Sequence, residues 1–229
     1  MADRDAVETR DRLAGAAAEL FAEHGFHGTT VRDIAARAGA NVAGASYHFG
    51  SKEGLYLGTL RRHFGAIKER LDPEGIDEDP DALAALSRAE VRGRLELRVR
   101  TILEILLGPP PGLHGTLMMR EMCDPSEALP TIVEEFVAPQ VRQLGAVLRR
   151  LEPHLSAADI ERCVFSIMGQ ILYFRFARPI QLQLLGRDEF PRGFLAKLAA
   201  HITEFSLGGM AHLAQGKVTA KAQRGRHAG

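Results

Sequence analysis

Apolar positions recur along this chain at spacings of three and four, the period of one face of an α-helix. Leu13, Ala17, Leu20 and Phe21 stand at i, i+4, i+7 and i+8, and Gly25 is placed to end that helix. In "TTVRDIAARAG", residues 29–39, Thr30 is a candidate N-cap. Asp33 three residues on makes a capping-box-like pair with Asp in the usual Glu or Gln place. Val31, Ile34, Ala35 and Ala38 form the buried stripe, and Gly39 closes it. A short third helix fits residues 42–48 and a fourth runs from Ser51 toward Leu71. No stretch alternates apolar and polar residues as a half-buried strand does, so the expected fold class is all-α.

Proline and glycine punctuate the rest. "DPEGIDEDP", residues 72–80, is an acidic loop, and one long helix is expected from there to Leu107. "GPPPG", residues 108–112, breaks it, because proline lacks the N–H and clashes with the preceding turn. "DPSE", residues 124–127, reads as a helix start with Asp124 as N-cap and Pro125 at N1. That helix would run to about Leu151 with a kink at Pro139. "SAAD", residues 156–159, caps a helix ending near Pro179, and Phe194, Leu195, Leu198, Ile202 and Phe205 mark a last amphipathic helix. After Gly209 the chain is small, polar and basic, with Lys217, Lys221, Arg224 and Arg226 and no acid. It reads as a frayed terminus, with a non-specific DNA arm as the alternative. The expected organisation is a small domain over 1–52, a helical domain over 53–209 and a flexible basic tail over 210–229.

Composition excludes more than it assigns. With 45% hydrophobic and 25% charged residues the chain is of ordinary globular type. Its longest apolar run, Cys163 to Phe174, is interrupted by polar residues and is too short to span a bilayer. The N-terminus is charged and lacks the apolar core of a signal peptide, so a cytoplasmic location is expected. Cys123 and Cys163 stand far apart and read as reduced core or near-core thiols. His24 and His27 have a metal-like spacing but no ligand partners, so a surface or capping role is favoured and no metal or cofactor is expected. No HExxH, GxSxG or strand-linked GxGxxG occurs, which argues against an enzyme.

The chemistry lies in "AGANVAGASYHFGSKEGLY", residues 38–56. A helix of about eight residues, a glycine turn and a second short helix make the helix-turn-helix pattern, whose second helix enters the major groove. Ala40, Ala43, Gly44 and Ala45 would let backbone and Cβ atoms approach base edges closely. Asn41 and Ser46 can donate and accept hydrogen bonds, and Tyr47 and His48 carry polar tips on aromatic bodies. Lys52 falls in the first turn of the next helix, where free amides also favour phosphate. Yet no charged residue stands between Arg37 and Lys52, and the whole chain has 29 basic and 29 acidic residues. Residues 1–52 carry six Lys and Arg against seven Asp and Glu, a net charge of −1. Phosphates must then be held largely by neutral hydrogen bonds and helix N-termini, so the salt dependence of binding should be shallow.

"AAAELFAEHGFHGTTVRDIAARAGANVAGASYHFGSKEGLY" resembles the N-terminal domain of TetR-type transcriptional regulators, closely so over residues of about 10 to 60. "MREMCDPSEALPTIVEEFVAPQ" and "SIMGQILYFRFARP" extend the similarity to the CecR-like subgroup. The resemblance implies a three-helix DNA-binding domain followed by a helical domain for ligand binding and dimerisation. It implies a homodimer on a palindromic double-stranded operator and, by the family's usual mode, repression relieved by a small-molecule effector. Carried onto this chain, it gives Thr30, Tyr47, His48 and Lys52 to the DNA backbone and Val42, Ala43, Gly44 and Ser46 to the bases. Gly44-Ala45 departs from the bulkier residue frequent there, which weakens the helix in isolation. Tyr47 has the alternative of packing on the first helix.

In the second half, Met118, Glu121, Gln170 and Tyr173 are candidate effector-pocket residues, apolar lining with a few polar groups. The competing reading pairs Arg120 and Glu121 with other charges and puts Gln170 and Tyr173 at a dimer seam. The helices near 156–178 and 190–207, the most apolar, are the expected dimer elements.

Overall fold

The computed structural model describes residues 2–72, 74–76, 79–108 and 113–226, with the side chains of residues 2–6, 63–68, 113–114 and 217–226 outside the description. Among the described residues every regular element is helical, and no helix is long and apolar enough to cross a membrane. The chain divides into two compact units. One holds residues 1–69 and 109–138, the other residues 70–108 and 139–229.

The first unit begins with α1 (Ala2–His24), α2 (Val31–Arg37), α3 (Val42–Phe49) and α4 (Lys52–Leu71). The stripe of Leu13, Ala17, Leu20 and Phe21 is buried against Ile34, Ala45, Leu55, Tyr56 and Leu60. Thr29 ties off the end of α1, its buried hydroxyl lying 2.8 Å from the Gly25 carbonyl and 3.1 Å from that of Leu20. α7 (Leu113–Cys123), α8 (Leu129–Ile132) and a π-helical turn, Val133–Val137, complete this unit. Leu117, Ala128 and Ile132 bury into the same core as α1.

Here the structure corrects two expectations. "DPSE" caps no helix. The next helix starts at Leu129 after Ala128, which makes no side-chain cap. Asp124 N–H instead closes the end of α7 on Arg120 O at 2.7 Å, and Ser126 N–H donates to Glu121 at 3.2 Å. The irregularity at Pro139 takes the form of the π-turn just before it, where the Ala138 N–H reaches back to Val133 O.

The second unit contains α5 (Pro80–Ala85), α6 (Arg88–Leu107), α9 (Ala138–Leu151, from Pro139 on), α10 (Ala157–Phe176), α11 (Arg178–Leu185) and α12 (Phe194–Arg226). The single helix expected before Leu107 is two. Leu86 and Ser87 are extended, and Ser87 restarts the chain with a capping box to Glu90. The expected box at Ser156 and Asp159 opens α10. Val91, Leu95, Val99 and Leu103 of α6 pack with Leu144 and Leu148 of α9, Val164 and Ile167 of α10, and Leu198 and Ile202 of α12. α12 continues past Gly209, where the sequence reading has a frayed tail, because Met210 and Ala214 still bury in this core. The side chains of Lys217, Lys221, Arg224 and Arg226 lie outside the described residues.

Candidate nucleic-acid interface

Two capped helices and two glycine turns build the site. Thr30 caps α2, its hydroxyl 2.5 Å from Asp33 Oδ2 and accepting from the Asp33 N–H at 3.2 Å. This bond to Thr30 holds the Asp33 carboxyl below the usual aspartate range. A depressed folded pKa contributes stability above the unfolded value and loses it as pH falls through the folded one. Asp33→Asn should therefore unfold at a lower temperature than the parent at pH 7. The gap should close as pH drops below the aspartate range, as thermal unfolding followed by circular dichroism would show.

Gly39, at φ +60°, turns the chain between α2 and α3, a conformation that costs a side-chain-bearing residue energy. Asn41 then caps α3, its Oδ1 accepting from the Gly44 N–H at 2.6 Å. A Cβ at position 44 would come within 3.2 Å of that oxygen. Glycine here keeps the cap uncrowded, which accounts for the departure from a bulkier residue. Gly50, at φ +75°, ends α3.

On α3 the faces separate cleanly. Ala45 is buried, and Phe49 packs against α4 at Gly58, where a Cβ would lie 3.1 Å from its ring. Asn41, Val42, Ala43, Ser46 and Tyr47 are exposed together, with Thr30 exposed at the start of α2. Gly44, His48 and Lys52 are half-buried at the margin. Tyr47 is 84% exposed, its ring touching that of His48, so it is not packed on α1. The Thr30 hydroxyl and the Asn41 carbonyl are already engaged as caps. This leaves the Asn41 NH₂, the Ser46 hydroxyl and the Tyr47 hydroxyl as the polar groups of the exposed face.

Several cations of this unit are paired within it. Arg37 pairs with Glu19 and Glu23, Arg12 with Glu8, and Arg62 with Asp11. Lys52 Nζ lies 4.3 Å from the centroid of the Phe26 ring. His27 Nε2 lies 3.3 Å from Pro125 O and His24 beside Glu23. Among the described residues no group of three or more His, Cys, Asp or Glu is gathered as for a metal ion.

The four effector-pocket candidates fall in different units. Met118 and Glu121 belong to the first, Gln170 and Tyr173 to the second. Glu121 is buried, bonded to the Ser126 N–H and adjacent to Tyr56. Met118 packs on the first core. Gln170 donates to Ser166 O and Ser206 Oγ, and Tyr173 is 57% exposed. Cys163 is buried as expected, whereas Cys123 is exposed. Arg120, paired with other charges in the competing reading, donates instead through Nε to Ala22 O at 2.6 Å and through Nη2 to Glu23 O. Sequence reading also passed over Arg98, buried in the second unit with Nη2 2.8 Å from both Gln140 and Gln143. Its one legible sign is a cation set beside the inward stripe of Val91, Leu95 and Val99.

Two family models match. That of bacterial regulatory proteins of the tetR family covers residues 13–59, and that of the C-terminal domain of the HTH-type transcriptional dual regulator CecR covers residues 91–210. The chain is 29% identical to CecR of Shigella flexneri over 191 residues, 80% of this chain and 82% of that protein. Its fold is similar to that of the transcriptional regulator FadR from Bacillus subtilis, solved in complex with stearoyl-CoA, with TM-score 0.63 and 16% identity over 86% of this chain and 97% of that one. It is similar also to a transcriptional regulator from Rhodococcus sp. Rha1, with TM-score 0.59 and 20% identity over 87% and 96%. An all-helical fold opening on a capped helix-turn-helix, joined to a matching C-terminal half, makes this chain a member of the TetR family of DNA-binding transcriptional regulators, of CecR type.

Proposed function

We propose that the protein is an effector-responsive repressor that binds a palindromic operator as a homodimer and is released when a small molecule binds its second unit. The exposed face of α3 carries this reading. A tyrosine left 84% exposed beside small residues, on a helix capped at its N-terminus, suits groove contact better than it suits solvent. Tyr47, His48, Lys52 and the Thr30 turn take the backbone, and Asn41, Val42, Ala43, Gly44 and Ser46 lie against base edges.

Dimerisation rests on a second observation. Phe165, Tyr173 and Phe176 of α10 are exposed, as are Phe205 and Leu213 of α12 and Ile180 of α11. The spacings of the α10 and α12 residues put those of each helix toward one face, and exposed apolar side chains gathered in this way suit an interface. A dimer that reads two half-sites one turn of DNA apart must hold its two α3 helices about 34–36 Å apart. An effector that prefers another spacing lowers DNA affinity by its differential binding energy alone. The stearoyl-CoA in the FadR complex supports a ligand role for this architecture.

The test is selection of bound fragments from genomic DNA, then fluorescence anisotropy on the recovered duplex. An inverted repeat bound by two protomers supports the proposal. Recovery of no sequence above background would refute it.

A further inference from the structure

Resting on the reading of Lys52 as a phosphate contact, we infer that Glu121 and Phe26 are positioning residues for that contact: a buried carboxylate on α7 and an aromatic bracket set where the Lys52 ammonium stands. Each link is local. Glu121 is 2% exposed, and the phenol of Tyr56, 1% exposed, stands against its carboxylate. The Tyr56 ring packs edge-on to Phe21 at 4.7 Å and tilted on Phe26 at 5.2 Å. Lys52, one helical turn before Tyr56 on α4, places its Nζ over the face of the Phe26 ring.

Arg120, next to Glu121, holds the other side of the bracket. Its guanidinium satisfies the carbonyls of Ala22 and Glu23 at the end of α1. The chain then turns through Gly25, at φ +74°, directly into Phe26. Two adjacent residues of α7 thus hold the backbone leading into Phe26 and the ring beneath it. A lysine on a four-carbon stem is free to sample many rotamers. Seating its ammonium on an aromatic face removes much of that freedom before DNA arrives, so less entropy is lost on binding. In a head of net charge −1, one well-placed cation per protomer matters more than it would in a basic reader.

The experiment is a double-mutant cycle on DNA affinity and salt slope, using the selected duplex and the full-length protein. Phe26→Leu and Lys52→Ala should each weaken binding by about 5- to 30-fold for the dimer. Together they should do little more than the stronger of the two. Phe26→Leu removes no charge, yet it should make the salt slope shallower in the same direction as Lys52→Ala. Glu121→Gln, which keeps size and shape, should reproduce the effect in weaker form and lose it in the Lys52→Ala background. It also serves as the reading if Phe26→Leu does not fold. Additive losses, or unchanged salt slopes for both Phe26→Leu and Glu121→Gln, would overturn the inference. Absence of any DNA binding by the parent would instead strike the functional reading beneath it.

Discussion

Tyr47→Ala is expected to weaken binding to the operator by about 30- to 1,000-fold while leaving the fold intact. The ring is 84% exposed and lies against that of its neighbour His48, so its removal opens no cavity in the core. On DNA it supplies a hydroxyl donor and an apolar face, worth about 1–2 kcal/mol per protomer. Two protomers double that figure, and each 1.4 kcal/mol is tenfold. Tyr47→Phe separates the parts, since it keeps the ring and removes the hydroxyl. Anisotropy on operator and on scrambled duplex checks the loss, and thermal unfolding checks that the midpoint is unchanged. An alanine variant with parental affinity would remove Tyr47 from the interface.

Phe205→Glu on α12, or Phe165→Glu on α10, should convert a dimer to a monomer. Phe205 is 67% and Phe165 58% exposed in the protomer, so the new carboxylate stays solvated in the monomer. In a dimer it would be buried without a partner, a cost of several kcal/mol per charge. Loss of the second half-site should then cost about 10²–10⁴-fold in affinity, the usual gain from linking two binding modules. Light scattering after gel filtration reads the mass. A parental protein that is already a monomer would refute this interface, as would a Phe205→Glu variant that remains dimeric.

Much of the reading head was legible because its determinants are local. The Thr30–Asp33 box, the Gly39 turn and the stripe of Leu13, Ala17, Leu20 and Phe21 act within a few residues, where spacing carries the information. The cap on α3 was not read, although Asn41 stands at its start, because its amide reads as a hydrogen-bonding group for DNA. "DPSE" misled for a different reason. Its local propensity to start a helix is real, but Glu121 and the end of α7 claim the backbone donors of Ser126 and Asp124. The end of α12 was misplaced because Gly208 and Gly209 look like a terminus, while the burial of Met210 and Ala214 is set by distant helices. Long-range pairs stayed hidden altogether. Nothing in "MREMCD" says that Arg120 reaches carbonyls of residues 22 and 23, or that Glu121 meets Tyr56.

The central claim is that a nearly uncharged helix reads DNA while few cations hold the backbone. The most direct test is the slope of log association constant against log salt concentration on the selected operator, with a random duplex beside it. With Lys52 and at most one further cation per protomer engaged, the slope should be about −2 to −4. Affinity for the operator should then stay well above that for random DNA at physiological salt. A slope of about −8 or steeper, equal on both duplexes, would contradict the account and mark the protein as a non-specific polyanion binder.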